Sequence, residues 1–152
     1  MRPARARRAL PRHTTHMEPA GPPRNINPEQ LAPARGFSHA TAAGDTVWIG
    51  GQVGSDATGK IVEPGDMVAQ YARAILNVAI ALQAAGCAPE DTVKLTYYVT
   101  DMKAYRDNRR ALGAAYREFF RSDYPASTLI EVRSLVDPAA LIEIDAVAVR
   151  PK

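Results

Sequence analysis

Between Tyr124 and Arg150 the chain reads YPASTLIEVRSLVDPAALIEIDAVAVR, and the second half of that stretch leaves little freedom of fold. In LIEIDAVAV, Ile142, Ile144, Ala146 and Ala148 fall on one side of an extended backbone. Leu141, Glu143, Asp145, Val147 and Val149 fall on the other, because successive strand side chains point to opposite faces. One face is wholly apolar and belongs against a core. The other mixes two carboxylates with aliphatic groups, which suits a wall covered in part by a ligand or a second subunit. With the Tyr124-Pro125 turn, the alternating segment after it and the Asp137-Pro138 turn, the whole stretch reads as two strands joined by a loop.

Upstream, Phe37 to Ala42 predicts a short strand and Thr46 to Val53 (TVWIGGQV) a second, joined by a hairpin turn at Gly44-Asp45. Gly50-Gly51 inside the second strand marks either a bulge or a place where a ligand or another backbone comes close. Ile61-Val62 reads as a brief strand among turns. Asp66 is placed to cap a helix running to Ala85, with Val68, Tyr71 or Ala72, Ile75, Ala79 and Leu82 at helical spacing and Gly86 as its stop. Thr92 to Thr100 predicts a strand with Val93, Leu95, Tyr97 and Val99 on one face. Asp101 caps a second helix reaching about Arg121, its apolar side made by Tyr105, Leu112, Tyr116 and Phe119 and its charges forming a solvated face. Strand, helix, strand occurs twice, which asks for both helices on one face of a single sheet. The face bearing Glu143 and Asp145 is then bare in a monomer, and a bare face containing apolar groups predicts a closed homo-oligomer.

Composition narrows the class. A chain of 152 residues, 46% hydrophobic and 23% charged, is expected to form one soluble domain without metal or disulfide staples. Its single cysteine, Cys87, reads as a buried structural thiol, and no Cys/His cluster has metal-ligand spacing; a cytoplasmic setting is the expectation. No apolar run has the length of a membrane span. The formal charge of +3 is unevenly placed. Residues 1–24 hold six arginines and one acid, a charge of +5, so the remaining 128 residues carry −2. That body lacks the basic surface expected of a nucleic-acid binder. Residues 1–24 read as a disordered basic tail or a mis-set start with Met17 as the alternative initiator, and residues 25–152 as the domain. A transit peptide or an arm for anionic partners is also open, although prolines at 3, 11, 19, 22 and 23 spoil an amphipathic helix.

The element order together with GDTVWIGGQV, DTVKLTYYVTDMKAYR, AYREFF, and YPASTLIEV followed by LIEIDAVAV resembles the YjgF/Rid family of reactive-intermediate deaminases over about residues 36–150. The resemblance implies an α+β, chorismate-mutase-like fold with a single mixed sheet and two helices on one face. It also implies a homotrimer with small carboxylate-bearing metabolites bound in clefts between subunits, and hydrolysis of enamines or imines without metal or cofactor.

The resemblance implies a site as well, and shows it altered. The family's arginine, which pairs with the substrate carboxylate, falls at Ser127 in Pro125-Ala126-Ser127-Thr128. A hydroxyl does not replace the two parallel bonds of a guanidinium. Phe37 stands where a tyrosine is expected, Gly50 where a serine is, and Gly113 where an asparagine is. Glu143 matches the cleft glutamate and is the candidate catalytic group, with His39 as a replacement proton carrier. Gly51, Gln52, Ser127 and Thr128, with Phe37 and Gly50, are the candidate ligand contacts. Arg133 would lie roughly 20 Å along the strand from Ser127 at ~3.3 Å per residue, too far to stand in. A non-catalytic binder or metabolic regulator is the alternative, and an RNA-directed protein a weaker one.

Overall fold

A computed structural model describes residues 21–152. Six strands form one sheet in the order β1-β2-β3-β6-β4-β5. They are β1 (Arg24–Ile26), β2 (Ala40–Ala43), β3 (Thr46–Val53), β4 (Thr92–Val99), β5 (Ala126–Glu131) and β6 (Ile142–Val149). Helix α1 (Met67–Ala84) connects β3 to β4, and α2 (Met102–Asp107) and α3 (Arg109–Phe120) connect β4 to β5. Only β4 and β5 pair in parallel, and the other ladders are antiparallel. The fold is thus α+β with a single mixed sheet.

Most of the tail expected over residues 1–24 lies outside the described residues. Arg24 itself opens β1, a strand too short for periodicity to reveal; Asn25 and Ile26 pair with Thr41 and Ala40. The Phe37–Ala42 strand shortens to begin at Ala40, although the Gly50 amide still bonds the His39 carbonyl at 2.9 Å. Ile61-Val62 forms no strand, only a bridge from Ile61 to Ser55. The terminal two strands are joined by a loop, as read, but they are not neighbours, because β4 lies between them.

Helix α1 begins where Asp66 accepts a bond from the Ala69 amide at 2.9 Å, a side-chain N-cap. It ends at Gly86, whose φ of +77° suits glycine. The Cys87 amide bonds the Leu82 carbonyl and the Gly86 amide that of Gln83, the paired closure of a helix end. The buried stripe is rotated from the one read in the sequence. Met67, Tyr71, Ala74, Ile75, Val78, Ala81 and Leu82 are buried, while Val68 lies at its margin. Gln70 and Asn77 are buried too, because their amides serve backbone groups. Gln70 donates to the Ala139 carbonyl at 3.1 Å and accepts from the Leu141 amide at 2.8 Å, and Asn77 donates to the carbonyls of Val53 and Ser55. Asp101 caps α2 through the Ala104 amide. The single second helix divides at Asn108, whose side chain turns back to the Ala104 carbonyl.

The core lies between the helices and one face of the sheet. Ile142, Ile144, Ala146 and Ala148 are 2% exposed or less, as are Val47, Leu95 and Val99. Leu112, Tyr116 and Phe120 supply the α3 side; Phe119 is only partly buried. Val93 is a correction, since it is exposed and does not share the buried face of Leu95, Tyr97 and Val99. The β4–β6 register shifts between Thr92 and Lys94, so the strand turns over there and buries Thr92 instead. Leu141 also packs partly against the core, ahead of the first residue of β6. Cys87 is buried and free, and burial pushes its thiol above the usual range.

Candidate functional site

The Gly50-Gly51 step is a bulge, and a close approach as well. Ile49 pairs with Ala146 and Gln52 with Ile144, so two residues of β3 stand opposite Asp145 alone. A Cβ on Gly51 would lie 1.9 Å from Glu143 Oε1, and one on Gly50 would lie 2.8 Å from the Ser38 carbonyl oxygen. No larger residue fits at either position without moving its neighbour. Gly51 therefore lets the Glu143 carboxylate fold over β3, and Gly50 lets the backbone at Ser38 come close.

Glu143 pairs with Val53 on one side and Tyr98 on the other, on the face without helices. Partial burial raises its pKa above the ordinary glutamate value, and the neighbouring Asp145 charge adds to the rise. Asp145 is held by the Tyr98 hydroxyl, which donates to Oδ2 at 2.9 Å; that bond in turn raises the phenol's own pKa. The result is one carboxylate held by a hydroxyl beside one whose protonated form is favoured by its surroundings.

Next to the bulge, Gln52 and His39 are both buried. His39 Nε2 lies 2.7 Å from the Ala32 carbonyl oxygen, which can only accept, so that nitrogen carries the hydrogen. Nδ1 then accepts from Gln52 Nε2 at 3.2 Å, while the same amide bonds the Gly50 carbonyl at 3.0 Å. Both ring nitrogens are occupied, and neither is free to carry a proton to a ligand. Phe37, 54% exposed, rests edge-on against this ring with centroids 5.2 Å apart. Phe37, His39, Gly50 and Gln52 thus form one cluster at the bulge, while Gly51 and Glu143 meet on the bare face.

Ser127 and Thr128 lie elsewhere. On parallel strands, paired residues share a face. Ser127 pairs with the core-facing Leu95 and Thr128 with Thr96, so Thr128 projects to the bare face and Ser127 to the helix side. Thr128 accepts a bond from Lys94. Ser127 lines a cleft of about 290 Å³ between α3 and β5, together with Gly113, Arg109, Arg117 and several tyrosines. Ser127 and Glu143 are on opposite faces with β4 between their strands, so one chain does not bring them to the same small ligand.

The tyrosine-walled cleft and the Tyr98–Asp145 bond escaped the sequence reading. The spacing of Gly113 and Arg117, four apart on one helix face, was the available signal for the first. Among the described residues, no group of three His, Cys, Asp or Glu side chains could hold a metal ion, and no helix is long and apolar enough to cross a membrane.

A goat 2-iminobutanoate/2-iminopropanoate deaminase is 33% identical over 115 residues, covering 75% of this chain and 80% of that protein. A RutC family protein of Pyrococcus horikoshii is 34% identical over 122 residues, covering 80% and 90%. Among solved structures, the YjgF gene product of E. coli superposes with a TM-score of 0.72 at 30% identity, covering 84% of this chain and 99% of that one. E. coli TdcF with bound serine gives 0.72 at 27%, with the same coverage. The family model for endoribonuclease L-PSP matches residues 28–150. With nearly the whole described chain matched in sequence and in fold, the protein belongs to the endoribonuclease L-PSP, or YjgF/Rid, family.

Proposed function

We propose that the protein is a hydrolase of small imines and enamines derived from 2-oxo acids, working in clefts between the subunits of a homotrimer, with Glu143 moving the proton. The observation that carries this reading is the Glu143 carboxylate, half-buried over the glycine bulge with a raised pKa. The naming of several relatives as imine deaminases supports it. The chemistry asks for water and a proton relay. Glu143 takes a proton from water as the water oxygen adds to the C=N carbon, and delivers that proton to the nitrogen to give the carbinolamine. The same carboxylate then takes the carbinolamine hydroxyl proton and passes it to the nitrogen as C=O forms and C–N breaks, so that ammonia leaves and the carboxylate ends in its starting state. His39 is assigned to positioning, through Gln52 and the Gly50 carbonyl.

The division of site residues between two faces supports the assembly. Trp48 and Val149, 47% and 43% exposed, stand on the bare face with Val147, and an apolar surface of that kind supports a subunit interface there. A neighbouring subunit seated there can complete the surroundings of Glu143. The charge of −2 over residues 25–152 favours metabolites over RNA. Ser127 favours a second reading, in which the protein binds carboxylates without hydrolysing them.

The test is ammonia release from 2-iminopropanoate generated in solution, with the full chain and Glu143→Gln. Release that falls at least tenfold in the variant is expected. Release by the unaltered protein that survives the substitution removes Glu143 from the mechanism, and absence of release leaves the binding role. Sedimentation equilibrium tests the trimer, since a mass near the 16.4 kDa of one chain contradicts it.

A further inference from the structure

The cleft between α3 and β5 has a chemical character that Glu143 and its neighbourhood do not explain. Five tyrosines line it, Tyr71, Tyr97, Tyr105, Tyr116 and Tyr124, and the two full charges lining it are both positive, Arg109 and Arg117. Burial raises the pKa of Tyr71, Tyr97 and Tyr105 and pushes that of Tyr116 up to about 12, so these phenols remain neutral and leave the arginines uncompensated. The one ion pair among the described residues joins Lys103 to Asp107, and neither Arg109 nor Arg117 has a carboxylate partner there.

Arg117 lies over a position without a side chain. Its Nη1 lies 3.2 Å from the point where a Cβ on Gly113 would stand, so the guanidinium occupies room that a residue at 113 would contest. Long helical side chains lean toward the N-terminal end of their helix, which is why residue 117 covers the turn at 113. A glycine inside a helix is less favourable than alanine, and here the bare position leaves room for the guanidinium beside the cleft that Ser127 lines. Arg109 lies eight residues earlier, ~12 Å along the axis at 1.5 Å per residue, close enough to add to the field but not to share one carboxylate.

We propose that Arg117 is the carboxylate-binding group of this protein, holding small carboxylic acids with an apolar or aryl body in the tyrosine-walled cleft and replacing, from α3, the cation absent at Ser127. A guanidinium forks onto a carboxylate through two parallel bonds, while the aromatic walls cover the rest of the molecule. The proposal rests on the reading of the protein as a binder of small carboxylates and does not require that it hydrolyse them.

The experiment is calorimetric titration of the full chain with phenylacetate and with its neutral counterpart, phenylacetamide. The unaltered protein is expected to bind the acid at least tenfold more tightly than the amide. Arg117→Ala should abolish that preference and leave amide binding unchanged, Arg109→Ala should weaken acid binding less than threefold, and Ser127→Arg added to Arg117→Ala should restore the preference. No preference for the acid in the unaltered protein, or a preference undiminished in Arg117→Ala, overturns the assignment. Acid preference that depends on Arg117 without ammonia release sinks the hydrolase reading and keeps this one. Ammonia release that depends on Glu143 without acid preference does the reverse.

Discussion

The two faces of strand β6 differ as far as neighbouring positions of one strand can. Ile142, Ile144, Ala146 and Ala148 are sealed beneath the helices, while Glu143, Asp145 and Val147 are half-covered and Val149 is open to solvent. Both sets come from one eight-residue segment. Alternation makes the strand a partition between a face that holds the molecule together and a face that is free to carry chemistry. Aliphatic groups filling a close-packed interior cannot be altered without leaving a cavity. A carboxylate on the other side is constrained only by its immediate neighbours, here the bare backbone of Gly51.

The contrast breaks most visibly through stability. Ile144→Ala is expected to cost about 2–5 kcal/mol in urea unfolding, as for other large-to-small core substitutions, whereas Val147→Ala on the opposite face should cost under ~1 kcal/mol at concentrations where the chain is monomeric. Equal losses would show that the bare face is as closely packed as the core. Next in size is the glycine that admits the carboxylate. Gly51→Ala places a Cβ where Glu143 Oε1 stands, so kcat/KM for imine hydrolysis should fall roughly ten- to hundredfold, about 1.4–2.7 kcal/mol of barrier. The circular dichroism spectrum should be unchanged. The smallest effect is a pH dependence. The raised pKa of Glu143 means that folding favours its protonated form. Relative to Glu143→Gln, the unaltered protein should keep its full stability below the ordinary glutamate range and lose some of it as pH rises through the raised value. Asp145 and Tyr98 face the same carboxylate, so the profiles should be compared in the Asp145→Asn background too. A stability difference independent of pH would show that Glu143 ionises as it does in the unfolded chain.

Much of this division was legible before any coordinates. The alternation in LIEIDAVAV placed the core face and the carboxylate face on their correct sides, and Asp66, Asp101 and Gly86 marked helix ends where caps and a positive φ are found. The misreadings share one cause. Val93 was read onto one face with Leu95, Tyr97 and Val99 because a regular strand was assumed, and a register shift reversed it. Arg24–Ile26 escaped because three residues carry no period. His39 read as a candidate proton carrier, since the partners that occupy it, Ala32 and Gln52, lie 7 and 13 residues away and a sequence does not show which distant groups meet.

The role of Ser127 shows the same boundary. The sequence by itself determined that the position lacks an arginine, that Glu143 is present, and that the strand and helix order demands one sheet with helices on one side, because each of these follows from residue identity and local periodicity. Only the tertiary structure decided that Glu143 and Ser127 face opposite sides of that sheet, and that Arg117 reaches across Gly113 into the cleft beside Ser127. The register between strands and the packing of a helix on a sheet are set by the sum of many weak contacts between residues distant in the chain, and no single residue encodes that sum.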